Sequence, residues 1–269
     1  MSEAILRSYG TSRKKQNNQL DRVLKIAIVF LVLIILGEVL FYLLIAPNMV
    51  LKEVVVKSDL ALSDKEILNK AGIEGKEYYF LLDTQLVEKN LESYAPVKEA
   101  VVKKSFPDKL HITLYRRKPL GISLVKQNNR TVPFIFDKEG VIFQAGGKET
   151  ESSLPVLSGI RFENADLGTR LPGPLQPILE DIERIRHNAP ELLKQISELR
   201  VIRKEENLVE MYLYPMHYRT KVHIGSHLDE ELIRYLLMVL HVMDKQNGLE
   251  GMKELDFRTG NAVYKVKEG

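Results

Sequence analysis

Hydrophobic and polar positions follow three different patterns along this chain, and each predicts a different kind of element. The first is a block: from Ile26 to Ala46, in IAIVFLVLIILGEVLFYLLIA, the residues are apolar except for Glu38. At about 1.5 Å rise per residue, a helix of this length spans roughly the ~30 Å hydrocarbon core of a bilayer. The run is longer than the apolar region of a cleaved signal peptide, and LLIAPNMV offers no small-residue cleavage pattern. The expectation is an uncleaved signal anchor over residues 23–46, with residues 1–22 as a short tail.

The second pattern mixes periods of two and of about 3.6 between Leu51 and Arg117. LKEVVVK is β-branched and strand-like. LSDKEILNKAG predicts a helix, with Ser63 and Glu66 at capping-box spacing and Gly72 placed to end it. DTQLVEKNLESY predicts a second helix behind an Asp83 cap, with Leu86, Val87 and Leu91 at helical spacing. VKEAVVKK and KLHITLYRR predict two strands around a turn at Phe106–Lys109, with Leu110, Ile112 and Leu114 on the buried face. The order is β-α-α-β-β, a three-stranded sheet that would be buried by two helices on one face.

The third pattern begins at Pro119 and consists of short strands: GISLV, VPFIFD, GVIFQAG and LPVLSG, then ISELRVI, LVEMYLY and KVHIG. Asp137–Gly140 predicts a hairpin turn, and a helical run ends near Asn188. ELIRYLLMVLHVM carries Leu232, Leu236, Val239, Leu240 and Met243 at amphipathic spacing, closed by Gly248, and is expected to pack on a sheet. MKELDFR, a turn at Thr259–Asn261 and AVYKVK predict a terminal hairpin. The fold class is therefore α+β: a single transmembrane helix, a β-α-α-β-β unit over residues 50–117, and a mostly antiparallel β-domain with helices over residues 118–269.

Charge changes this picture in two ways. Arg7, Arg13, Lys14, Lys15, Arg22 and Lys25 precede the apolar block against only Glu3 and Asp21, so the tail is expected on the cytoplasmic side and the remaining domains outside. Beyond Glu38 the chain holds 33 basic and 33 acidic residues, which argues against binding nucleic acid through phosphates. The basic residues Lys103, Lys104, Lys109, Arg116, Arg117 and Lys118 then mostly fall at strand ends or on the outer face, where a protein partner is their more natural use. Glu38 lies about 18 Å into the helix. It is read either as a carboxyl tolerated by an otherwise strongly apolar segment or as a contact with another membrane helix.

Candidate chemistry is sparse. The chain has no cysteine, which excludes a disulfide framework, a thiolate metal site and a cysteine nucleophile. His217, His223 and His227 cluster in HYRTKVHIGSH, but a strand followed by a turn should make them diverge rather than converge on a metal. There is no G-x-S-x-G, and GTRLPGP lacks the Gly-Lys pair of a phosphate loop. No catalytic residue, metal, cofactor or small-molecule substrate is expected.

Several stretches together resemble the FtsQ/DivIB family of bacterial cell-division proteins: LSDKEIL..AGI, YYFLLD, APVKEAVVKKSFPDKLHITLYRRKP, FIFDKEGVIF, LPVLSG, KVHIG and LDFRTGNAVYKV. The unit Leu51–Arg117 looks like a POTRA domain of that type. The resemblance implies a non-enzymatic divisome scaffold in the cytoplasmic (inner) membrane at the septum, linking early and late division proteins. Its implied partners are FtsB-like and FtsL-like bitopic proteins. It also implies a partner-binding edge strand in the β-domain, mapped here onto Arg258, Thr259, Ala262, Val263, Tyr264, Lys265 and Val266. Arg116 stands where the family usually carries Glu and is a candidate POTRA surface contact. Two other readings are a POTRA-containing envelope assembly or secretion protein, which would need a cleaved signal and a C-terminal barrel, and a signal-anchored envelope enzyme, which would need a catalytic constellation.

Overall fold

The computed structural model describes residues 14–46, 49–127, 130–146, 154–160, 162, 166–205, 208–258 and 263–266. The first helix, α1, runs Lys14–Leu40 and continues as a π-helical turn over Phe41–Ile45. It starts well before the apolar block because KKQNNQLDRVLK contains no Pro or Gly to stop it. Leu20–Ile45 is long and apolar enough to cross a membrane, and no part of its apolar window is buried by the rest of the chain.

The next unit has the predicted order: β1 (Glu53–Ser58), α2 (Asp64–Ala71), α3 (Thr84–Glu92), β2 (Val97–Ser105) and β3 (Lys109–Arg116). The caps form as the spacing predicts. Ser63 Oγ accepts the Glu66 N–H, Glu66 accepts the Ser63 N–H at 2.9 Å, and Gly72 ends α2 at φ 74°. Asp83 accepts the N–H of Gln85 and of Leu86 to start α3. The strand order is β1-β3-β2, with β1 parallel and β2 antiparallel to the central β3. Leu110, Ile112 and Leu114 are fully buried with Ile67, Ala71, Val87 and Leu91, so the alternation of β3 does face the helices. Leu86 departs from the expectation: it is exposed, and only Val87 and Leu91 of that trio reach the core. YYFLL forms no strand. Tyr78 makes an isolated antiparallel bridge to Val50 and the chain turns directly afterwards.

The remaining strands are β4 (Gly121–Gln127), β5 (Arg130–Phe136), β6 (Ile142–Ala145), β7 (Val156–Ser158), β8 (Ile196–Arg203), β9 (Val209–Pro215), β10 (Lys221–Ile224), β11 (Met252–Asp256) and β12 (Val263–Val266). Helices α4 (Gln176–Asn188), α5 (Pro190–Leu193) and α6 (Glu230–Lys245) separate them. The strands form one sheet in the order β12-β11-β10-β9-β8-β7-β4-β5-β6. It is mostly antiparallel, but β4–β7, β7–β8 and β10–β11 pair in parallel. Parallel neighbours need long crossovers, and α4 and α6 lie in those between β7 and β8 and between β10 and β11. Ile178, Ile182, Ile185, Ile233, Leu236 and Leu240 share one core with Leu199, Met211, Leu213, Val222 and Leu255, so the helices cover one face of the sheet. At the end of α6 the left-handed residue is Asn247, at φ 52°, rather than Gly248. Gly248 stands one position beyond it and donates its N–H to Met243 O at 2.8 Å.

Candidate functional site: an open sheet edge and its charged face

In β9 the residues Val209, Met211 and Leu213 point into the core, leaving Glu210, Tyr212 and Tyr214 on the opposite face. Register aligns Arg200, Tyr212, His223 and Asp256 across β8 to β11, and pairs Lys221 with Glu254. The helix-free face is therefore a band of charged and aromatic residues that leads to β12.

His223 is the centre of that band and is only 4% exposed. Its Nε2 lies 2.7 Å from Glu210, its Nδ1 3.7 Å from Glu254, and its ring 4.5 Å from that of Tyr212. Lys221 Nζ sits 4.0 Å over the Tyr212 ring and 3.0 Å from Glu254. Burial raises the Glu210 carboxyl, but the His223 hydrogen bond and the charges of Lys204, His223 and Arg258 outweigh it and hold the group below the usual range. Burial and the Glu254 charge push the Tyr212 phenol up. Burial opposes the Lys221 cation, yet Glu254 holds its pKa above the ordinary value.

Arg258 closes the band beside β12. Its Nη2 donates to Asp256 Oδ2 at 2.7 Å and its Nε to Oδ1 at 3.0 Å, while Nη1 lies 3.5 Å from Glu210. The planar guanidinium of Arg258, placed on the partner-binding edge by the resemblance, is thus engaged by a carboxylate of the same chain. Arg258 holds Asp256 well below the usual carboxylate range, at about 2. What Arg258 offers outward is the remainder of a side chain that is 40% exposed.

Edge exposure separates β12 from two of the other sheet margins. On β2, the N–H groups of Ala100 and Val102 donate to Glu92 and Glu88 of α3 at 3.1 and 2.7 Å. On β6, Ile142 N–H donates to Thr169 O and Ile142 O accepts from Gly168 N–H, at 2.8 and 2.7 Å. Both margins are blunted in this way. β12 pairs antiparallel with β11 from Asp256↔Val263 to Met252↔Val266 and ends the strand order, and Val263 is 57% exposed. Thr259 and Ala262, and the predicted turn at Thr259–Asn261, lie outside the described residues, while Tyr264, Lys265 and Val266 are placed as β12 backbone.

The other sequence candidates lie elsewhere. Glu38 sits within the uncovered α1, and Arg116 is exposed at the end of β3, without an ion pair among the described residues. Its neighbour Arg117, expected to face outward for a partner, is instead 12% exposed and engaged within the chain. Arg117 Nη1 lies 2.5 Å from Asp137 and 3.2 Å from Glu139, and its Nε donates to Ala95 O, while Lys98 meets Glu139 at 2.8 Å. The Lys98 and Arg117 hydrogen bonds hold the Glu139 carboxyl below its ordinary value despite burial. The signal for this contact was DKEG, where two acids frame a turn facing the basic RRK. The histidines do part: His223 is bound within the band, His227 Nδ1 lies 3.6 Å from Asp181, and His217 is exposed. Among the described residues no three His, Asp or Glu side chains are grouped to hold a metal.

The family model described as "POTRA domain, FtsQ-type" matches residues 49–117. Cell division protein DivIB of Bacillus cytotoxicus is 26% identical over 169 residues, 63% of this chain and 60% of that protein. DivIB of Bacillus anthracis is 26% identical over 204 residues, 75% of this chain and 68% of that protein. Cell division protein FtsQ of Mycobacterium tuberculosis H37Rv is 27% identical over 165 residues, 61% of this chain and 46% of that protein. These relatives are similar to the chain in the way the sequence resemblance implied, and all are named as cell division proteins of the DivIB or FtsQ type. The chain spans about 60% of the Bacillus cytotoxicus relative's length. The chain thus combines a match to an FtsQ-type POTRA domain with one helix long and apolar enough to cross a membrane.

Proposed function

We propose that this chain is a non-enzymatic divisome scaffold that crosses the cytoplasmic membrane once, with its N-terminal tail inside and the POTRA unit and β-domain outside at the septum. In this reading residues 50–117 and 118–269 are its two extracytoplasmic domains. It binds FtsB-like and FtsL-like bitopic proteins and other division proteins. The observation that carries the reading is the contrast between sheet margins: β2 and β6 have N–H or C=O groups satisfied by the chain, and β12 ends its sheet. An incoming strand gains main-chain hydrogen bonds at such an edge, and side chains at alternate positions supply selectivity. The band formed by Glu210, Tyr212, Lys221, His223, Asp256 and Arg258 supports β11 and so holds β12 in register. Glu38 contributes a contact between membrane helices, and Arg116 a second surface on the POTRA unit.

The test is capture of tagged full-length protein from membranes beside a version ended after Arg258, followed by identification of bound proteins. That cut keeps the core residues Leu255 and Phe257 and removes β12 together with residues 259–262. Intact protein should recover small bitopic coiled-coil proteins and the shortened one should lose them. Equal recovery removes β12 from the mechanism, and no recovery by intact protein removes the scaffold itself.

A further inference from the structure

The fold brings the aromatic stretch YYFLL and the Phe-Pro-Asp turn of the β2–β3 hairpin to the end of the membrane helix. Phe41 and Tyr42, in the last turns of the apolar segment, pack their rings 5.9 and 6.3 Å from that of Phe80. Tyr79 continues the chain of rings, 5.1 Å from Phe80 and 6.4 Å from Phe106 at the tip of the β2–β3 hairpin. Three backbone ties join Met49, Leu51 and Lys52, which follow the helix, to this end of the POTRA unit. Tyr79 N–H donates to Met49 O at 2.7 Å, Leu51 N–H to Glu77 O at 2.8 Å, and Lys52 N–H to Asp108 O at 3.0 Å. Ala46, at the end of the apolar segment, is itself buried.

This end nevertheless presents large apolar side chains outward: Leu81 is 71% exposed, Phe106 70% and Tyr78 44%. A helix of the length of Ile26–Ala46 fills the hydrocarbon core, so its last turns mark the outer boundary of the bilayer. Phe80 touches the helix at Phe41, about 7 Å before Ala46 along the axis, which puts the ring at the depth of headgroups and upper acyl carbons. Residues 78–82 carry no charge, and the nearest acid of the hairpin tip, Asp108, is paired with Lys52 at 3.1 Å. Lys104 Nζ lies 5.6 Å over the Tyr79 ring. Aromatic rings with apolar tips and a flanking cation suit the bilayer interface.

We propose that the POTRA unit docks on the outer surface of the bilayer through Leu81, Phe106 and Tyr78, so that the membrane is a second ligand of this domain and sets its orientation. The occupant is the lipid surface because these side chains continue the boundary already marked by Phe41, Tyr42 and Phe80. The proposal rests on α1 spanning the membrane.

The chain has no cysteine, so single cysteines can be placed freely. Full-length protein carrying Leu81→Cys, Phe106→Cys, Val39→Cys or Tyr115→Cys is labelled with an environment-sensitive fluorophore. It is reconstituted into phosphatidylglycerol–phosphatidylethanolamine vesicles, dilute enough that copies do not meet. Tyr115 lies about 20 Å along β3 from the hairpin tip and serves as the aqueous control. Quenching is read from lipids spin-labelled near the headgroup end of the acyl chain and from aqueous iodide. Labels at 81 and 106 should lose about half their emission or more to the spin-labelled lipid and be quenched several-fold less by iodide than the label at 115. Iodide quenching equal to that at 115 overturns the proposal, as does shielding from both quenchers, which would mean a protein occupant. The label at Val39 keeps the two readings apart: if it too is open to iodide, the membrane-spanning reading of α1 has failed. Two positions are used so that a folding defect in one variant does not decide the outcome.

Discussion

Arg258 and Asp256 show what one ion pair contributes at a partly open edge. Asp256 is 21% and Arg258 40% exposed, so screening reduces the pair well below its Coulombic value. The Asp256 carboxyl falls from 3.8 in the unfolded chain to about 2 in the fold. A depressed carboxyl stabilises the fold above its unfolded pKa, and that contribution fades as pH falls toward the folded value. Asp256→Asn should therefore lower unfolding free energy by about 1 kcal/mol at neutral pH. Chemical denaturation as a function of pH checks this: the difference between the two proteins should persist from pH 7 to about 4 and vanish near 2. A difference that stays constant with pH would assign the loss to packing rather than charge.

At the scale of elements, a short strand brings two stretches of backbone into contact. β7 has only three residues, and Gly159 follows it at φ 80°. A Cβ there would lie 2.2 Å from Val201 O, so β8 and the departing chain touch backbone to backbone. Gly159→Ala combines a left-handed backbone with that clash, and the expected cost is about 2–4 kcal/mol in thermal or chemical unfolding. Beside this contact an open groove of about 1060 Å³ is lined by Arg200, Lys204, Tyr212, Tyr214 and Lys221 among others. The helices were legible because their caps and apolar spacing are local. Leu86 was misplaced because helical spacing selects a stripe, and only packing decides how wide that stripe is.

On the scale of the whole molecule, two hydrophobic cores are joined through a few polar contacts. One contains Leu51 to Leu114 and the other Leu120 to Phe257. Arg117 is 12% exposed and Asp137 3%, so the ion pair between them is shielded from water. Removing one partner of such a pair strands the other charge. Arg117→Ala should cost about 3 kcal/mol and loosen the coupling between the two units. Calorimetry should then show two separated unfolding transitions in the variant and a more nearly single one in the parent; a single transition in both would mean that other contacts couple them.

What the chain's sequence determined alone was everything carried by neighbouring residues. This includes the apolar block of α1, the capping box at Ser63, the alternation of Leu110, Ile112 and Leu114, the hairpins and the α+β class. Each is a local period or a local hydrogen bond, so no distant residue had to be known. The tertiary structure alone decided the parallel pairings of β7 and β10, the capping of β2 by Glu88 and Glu92, and the closure of Arg258 onto Asp256 and Glu210. It also decided that Phe80 meets Phe41 and that Arg117, rather than Arg116, is engaged. Those outcomes join segments such as Phe41 with Phe80, Lys98 with Glu139 and Glu210 with Arg258, which lie far apart along the chain. A local pattern shows which face of a strand is apolar. It does not show which strand or charge from elsewhere in the chain will come to lie against it.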